Sequence, residues 1–201
     1  MLNVWIALLF LSKALFPAPA NVEVIEFEID RGRKVIGQLV AKKEVVGDKT
    51  IYTSKTEATI SLLMKVHVEY HFEAEFQGEV LSRANAVIHV NGKQHVESFI
   101  QAEGDKYKFV KNEDNDSESK ELDYPITYPA ILLLFEEPDD VKKSFSEENG
   151  VFHQIQKVDD NTYEKTNPKG KVNQYHYANG ELEKAHLDAG LVQFTLLRKS
   201  F

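Results

Sequence analysis

One stretch has residue types at a spacing that could hold a metal. His67, Glu69 and His71 alternate as His-x-Glu-x-His. In an extended chain, residues two apart share a face at ~7 Å, so two imidazoles and a carboxylate can converge on one ion. Glu73 and Glu75 continue the same alternation. A solvated strand face is therefore the plainer reading, and no metal is assigned. His89 and His95 flank Asn91-Gly92. With a two-residue loop His89 pairs with Gln94, which puts the two histidines on opposite faces. Tyr124, Tyr128, Tyr175 and Tyr177 combine an apolar body with a polar tip, which suits the rim of a cavity. Ordinary sheet and core packing is the plainer reading of them.

Other chemistries find little support. With 32 acidic residues, carboxylate pairs are unavoidable, and no pair stands out by an apolar setting that would raise a pKa for acid catalysis. Gly-x-Ser-x-Gly, a phosphate-binding glycine loop and His-Glu-x-x-His are all absent from the sequence. The reading leans away from an enzyme, with no catalytic residue and no cofactor assigned. The chain has no cysteine. That excludes disulfides, thiolate metal sites, cysteine nucleophiles and an export signal anchored through a lipidated cysteine.

The elements that must position these residues read as mostly β. From Ile60 to Phe76 every even position is apolar: Ile60, Leu62, Met64, Val66, Val68, Tyr70, Phe72, Ala74 and Phe76. Only Leu63 breaks the odd, polar set. Period two suits a strand and scatters around a helix. Seventeen residues at ~3.3 Å each span about 56 Å, so one continuous strand must bend and coil within a curved sheet or barrel wall. Before it, 22–29, 35–43 and 51–56 read as strands, with Gly37 as a bulge or bend point. After it, 80–90 and 94–102 form a hairpin around Asn91-Gly92, and 106–111 adds a short strand. Residues 112–121, NEDNDSESKE, read as a solvated, mobile loop tip. The last fifty residues read as a meander, in which Asn179-Gly180 sets Tyr177 opposite Leu182 and Val172 opposite Leu187.

Leu122 to Pro138, LDYPITYPAILLLFEEP, is different. Ala130 to Phe135 is apolar on all sides. It reads as one short buried helix near 128–136, with Thr127 as N-cap, Pro129 in the first turn and Pro138 as the stop. The expected fold is a curved antiparallel sheet or incomplete β-barrel enclosing that helix, in one domain over 21–201. Any space beside the helix would be lined by Met64, Val66, Val68, Tyr70, Phe72, Tyr124, Tyr128, Ile131, Leu134 and Phe135.

Val4 to Leu11 is an apolar run of signal-peptide length, and Ala18-Pro19-Ala20 places small residues for cleavage before Asn21. Residues 1–20 are therefore expected to be a signal peptide and the protein to be exported, to the periplasm or beyond. No later segment is long enough to span a bilayer as a helix. Net charge is -8, and the first twenty residues carry only Lys13. This acidity argues against nucleic acid as partner and against an anionic membrane surface as the main target.

Several segments together resemble an uncharacterised family of exported bacterial proteins, a domain of unknown function. They are Ile36-Gly37, Gly78-Glu79-Val80-Leu81-Ser82, Phe135-Glu136-Glu137-Pro138, Glu148-Asn149-Gly150, and the run from Asn173 to Leu182, NQYHYANGEL. The architecture also resembles, more loosely, the bacterial carriers that move lipoproteins across the periplasm. Space left between the even residues of 60–76 and the 130–135 helix would accept an apolar or lipid-like small molecule, so the expected function is an exported soluble binding module. A structural or interaction protein of the cell envelope, with no ligand, is the alternative. An outer-membrane barrel fits less well, because the alternate residues Lys199, Leu197, Thr195 and Gln193 make no lipid-facing stripe.

Overall fold

The computed structural model describes residues 21–61, 64–123, 125–189 and 192–200. The signal peptide expected over 1–20 and Tyr124 lie outside these residues. The chain builds one antiparallel sheet of 14 strands. The strands are β1 (Asn21–Asp30), β2 (Val35–Val46), β3 (Lys49–Ser61), β4 (Lys65–Gln77), β5 (Val80–Val90), β6 (Lys93–Glu103), β7 (Lys106–Glu113) and β8 (Asp116–Leu122), then β9 (Lys143–Ser146), β10 (Val151–Asp159), β11 (Thr162–Thr166), β12 (Val172–Ala178), β13 (Glu181–Asp188) and β14 (Gln193–Arg198). Their spatial order runs from β8 back to β1, then from β14 back to β9. Two meanders thus meet at a seam between β1 and β14, registered Phe27 opposite Arg198 and Ile29 opposite Leu196.

The sheet curls until its two ends approach. Ser98 on β6 donates to the carbonyl of Glu147, beyond β9, at 2.7 Å. A Cβ on Gly150 would meet the Phe109 ring of β7 at 2.7 Å. Ser144 and Phe145 point to opposite faces of β9, and both are fully buried. The edge strand is therefore tucked inside the curl, and the architecture is an open, barrel-like sheet. Phe27, Ile29, Leu81, Ile100, Phe109, Phe145 and Leu196 are among the side chains of one main core on the concave face.

Antiparallel alternation gives the sheet two distinct ends. The segment 123–142 leaves β8 and enters β9 at one end, here called the floor, together with the turns at 47–48, 78–79 and 179–180. The turns at 31–34, 91–92, 147–150 and 167–171 lie at the other end, the mouth.

Four expectations need correction. Ile60 to Phe76 is not one long strand. The chain reverses between Ser61 and Lys65, and β3 pairs with β4 as Ile60 opposite Val66 and Ala58 opposite Val68. Partners share parity in this register, so the apolar phase runs unbroken through the hairpin and hides it. The α-helix expected over 128–136 is not formed. Ala130–Leu134 makes five residues of 3-10 helix, starting after Pro129 and without a side-chain cap of its own. An all-apolar run carries no 3.6-residue signal, and the segment is too short between its prolines to gain stability by propagation. Residues 112–121 are not a loop tip, because they hold the β7–β8 turn and most of β8. Charge is tolerated there since β8 is an edge strand. Finally, a bulge between His176 and Tyr177 shifts the β12–β13 register. Tyr177 does face Leu182, but Gln174 faces His186, so Val172 is one residue out of phase with Leu187.

Two local expectations agree with the structure. His89 pairs with Gln94 across the Asn91-Gly92 turn, and both turn residues have positive φ. Gly37 lies at the register shift where Ile29 faces Gly37 but Asp30 faces Val35. A Cβ there would sit 2.1 Å from the carbonyl oxygen of Glu57, so only glycine allows the strands to approach.

Candidate functional site

The 3-10 segment does not fill the interior. Between it and the concave wall lies a cleft of about 260 Å³. Leu39 of β2, Ser54 and Thr56 of β3, and Tyr70 and Phe72 of β4 form one side. Ile131, Leu133 and Leu134 form the base, and Tyr175, Phe194 and Leu196 close the other side. Glu147, Glu148 and Lys165 supply charged groups. Glu147 and Glu148 lie in the 147–150 turn and Lys165 at the mouth end of β11, so the charged end of the cleft is its mouth end. A larger hollow of about 570 Å³ around His176, Lys184 and Arg198 is lined mostly by polar and charged groups on the sheet surface.

The polar end of the cleft is set by Glu147. This carboxylate is buried, and its Oε1 accepts from the backbone N–H of Ile131 at 2.8 Å. It thereby satisfies a donor at the start of the 3-10 segment, the role expected of a side-chain cap. Burial pushes the Glu147 carboxyl up, while the backbone donors of Ile131 and Ala130 and the Lys165 charge pull it back. Burial also raises Glu148, against the pull of Lys111. Lys165 stands on β11 between Ile155 and Asn173. Its ammonium lies 5.9 Å from the centre of the Tyr175 ring. His153, on the neighbouring β10, is pushed down to about 4, first by burial and then by Lys165.

The floor side of the same segment is moored by tyrosines. Tyr177 donates to the Leu133 carbonyl at 2.8 Å and Tyr128 to the Glu136 carbonyl at 2.9 Å. Tyr52 reaches the Glu136 carboxylate at 3.0 Å, and Tyr163 reaches those of Glu137, at 2.9 Å, and Asp139. Burial is the main influence raising each of these phenols, so they stay protonated and act as donors.

Of the residues expected to line a cavity, Tyr70, Phe72, Ile131 and Leu134 come together in the cleft. Tyr70 and Phe72 stack along β4 with ring centres 6.2 Å apart. Val66 and Val68 lie further towards the mouth, in a second apolar cluster with Ile88 and Val96. Met64 is exposed beside the β3–β4 reversal. Tyr128 is buried on the floor side, and Phe135 packs edge-on against Tyr52 with ring centres 5.1 Å apart. Tyr175 lines the cleft, while Tyr177 is hidden beneath the segment.

His67, Glu69 and His71 occupy the outer face. His67 pairs with Thr59 at 3.2 Å, Glu69 faces Glu57 and His89, and the His71 and His89 rings lie 6.4 Å apart at right angles. Among the described residues no group of three histidines or carboxylates is placed to hold a metal, and no helix is long and apolar enough to cross a membrane.

Sequence reasoning missed Glu147, Glu148 and Lys165. The first two sit in an acidic segment where nothing local marks one carboxylate as buried. Lys165 lies on a short strand, and only the curl of the sheet brings it to the cleft. The cleft is an apolar slot with carboxylates and one ammonium at its polar end. Neither histidine nor cysteine lines it among the described residues.

Residues 27–199 match the profile of DUF6134, a domain of unknown function, and the chain belongs to that family. No curated protein matches it. Among solved structures, the chain is similar to the crystal structure of a beta-barrel-like protein of another domain of unknown function, DUF1849, from Brucella abortus. That likeness has a TM-score of 0.59 at 11% identity and covers 92% of this chain and 96% of the other. At that identity it speaks for the fold alone.

Proposed function

We propose that this member of the DUF6134 family is an exported binding module, taking an apolar or lipid-like small molecule into the cleft between β2–β4 and the 3-10 segment. One observation carries the reading: a slot left open beside the most apolar stretch of the described chain, lined by Leu39, Phe72, Ile131, Leu134 and Leu196. Its volume of about 260 Å³ lies just under the ~300–1,000 Å³ usual for small-molecule sites. It therefore suits a small ligand or one segment of a longer one. Export rests on the signal-peptide pattern of residues 1–20. A ligand-free structural role is favoured by the floor, where the hydroxyls of Tyr52, Tyr128, Tyr163 and Tyr177 tie the segment down.

Two measurements decide between them. Native mass spectrometry of the purified protein should show a bound small molecule, or uptake of added fatty alcohol. A fluorescent apolar probe should brighten on binding, and Thr56→Trp, which directs an indole into the slot, should weaken it at least tenfold. A clean apo mass with no probe response, or a Thr56→Trp variant that binds the probe as well as the parent does, sinks the binding reading.

A further inference from the structure

The two ends of the sheet differ in how their cations are satisfied. At and near the floor most are answered. Lys49 and Arg83 pair with Glu75 at 2.8 and 3.0 Å, Lys106 with Glu121 at 3.1 Å, and Lys199 with Glu26 at 3.2 Å. At the mouth, Arg33, Lys34, Lys65, Lys93, Lys169 and Lys171 are all exposed. Among the described residues none of them makes an ion pair within 4.0 Å.

The mouth's acids are mostly engaged or inward. Glu113 is held by Lys111 at 2.7 Å and Asp114 by His95 at 2.6 Å. Asp30 accepts from the Arg33 backbone N–H at 3.0 Å. Glu147, Glu148 and Asp188 line the cleft. Asp116, beside the β7–β8 turn, leaves that corner acidic.

A second observation coincides with the first. Three of the mouth-end cations have an exposed aliphatic neighbour in the chain: Lys34 beside Val35, Lys65 beside Met64, and Lys171 beside Val172. Those apolar side chains are 54%, 70% and 43% exposed. Ammonium groups next to protruding aliphatic side chains suit an interface where the aliphatic part enters the acyl boundary and the cation meets phosphate.

We propose that the mouth rim is a docking surface for a bilayer bearing anionic lipid. The protein sits mouth-down, with Val35, Met64 and Val172 at the acyl boundary and the neighbouring lysines among the headgroups. The net charge of -8 describes the whole chain. It does not describe the rim, because many acids lie at the floor and on the outer face. Association follows the field of the surface that makes contact. Aliphatic neighbours, rather than aromatic stacking platforms, favour a lipid surface over single-stranded nucleic acid. Docking does not need the cleft to be occupied, though this pose would turn the charged end of the cleft towards the bilayer.

Vesicle flotation tests it. The full chain is mixed with vesicles of phosphatidylcholine alone, or with one third phosphatidylglycerol. Binding should be at least tenfold stronger to the anionic vesicles and should fade at ~1 M salt, where the screening length is ~3 Å. Lys34→Glu, Lys65→Glu and Lys171→Glu combined should abolish that preference. The same charge change at the floor, through Lys42→Glu, Lys49→Glu and Lys106→Glu, should leave most of it, with thermal melts confirming that both variants fold. Thr56→Trp, which blocks the cleft, should not affect flotation, so failure of docking and failure of the ligand reading are separable. Equal binding to both vesicle types, equal loss in the two triple variants, or equally tight binding to a soluble oligonucleotide overturns the proposal.

Discussion

The floor and the mouth enclose the same 3-10 segment in different ways. At the floor, Tyr52, Tyr128, Tyr163 and Tyr177 send hydroxyls onto carbonyls and carboxylates of residues 133–139. At the mouth, the carboxylate of Glu147 reaches it, and a cleft of about 260 Å³ remains. Segments without a ladder of their own must satisfy their backbone through side chains. Here that work is unevenly divided. The dense end fixes where the segment lies, and the sparse end leaves a face of it uncovered. The contacts that fix the segment and the open space beside it are thereby separated along one axis of the sheet.

The sharpest way to break this contrast is to remove its strongest mooring. Tyr177→Ala deletes a fully buried aromatic and should cost about 3–5 kcal/mol in denaturant unfolding. A cost below ~1 kcal/mol would mean that the floor does not secure the segment. Glu147→Ala leaves the Ile131 N–H without its acceptor and should cost roughly 1–3 kcal/mol. Amide exchange at Ile131 should quicken about tenfold or more, while amides in β1 and β2 keep their rates. Phe72→Ala removes a ring that is only partly buried in the cleft wall. It should cost about 1–2 kcal/mol, less than the floor substitution, and enlarge the cleft enough to admit a bulkier probe.

The smallest effect is a dependence on pH. The folded state holds His153 neutral, with its pKa near 4 against an ordinary 6.5. Its contribution is complete above pH 6.5 and is lost as pH falls towards 4. Glu147 and Glu148 are raised by burial, so they act in the opposite sense. Their contribution is present below about pH 4.5 and is lost as pH rises through the raised values. His153→Asn should therefore flatten the fall in melting temperature between pH 6.5 and 4. An unchanged slope would remove His153 from the account.

Most of the strands were legible, because alternation and Asn-Gly turns are local signals. The β5–β6 hairpin came out at its turn, where loop length sets His89 opposite Gln94, but a bulge between Ile88 and His89 shifts the rest of its register by one residue. The β3–β4 hairpin did not. Its partners share parity, and only Leu63 interrupts the pattern. The β8 strand was hidden by its charges, which mark an edge as readily as a loop. The cleft was half legible. Phe72 and Ile131 announced themselves by apolar setting, whereas Glu147 and Lys165 depend on how far the sheet curls. Curl is a property of the whole sheet, which no short window of sequence reports.

The seam between β1 and β14 has a consequence for how the protein can assemble. Every other strand pairing joins neighbours along the chain, so each meander can zip up hairpin by hairpin over short loops. The seam alone joins residues separated by most of the sequence, as in Phe27 with Arg198. Its loop-closure entropy is met only after the last strand is available. The outermost strands in sequence are also the middle of the sheet. Trimming back from Arg198, a change most domains absorb as fraying at an edge, would here strip the partner from β1 and β13 together and part the sheet into halves.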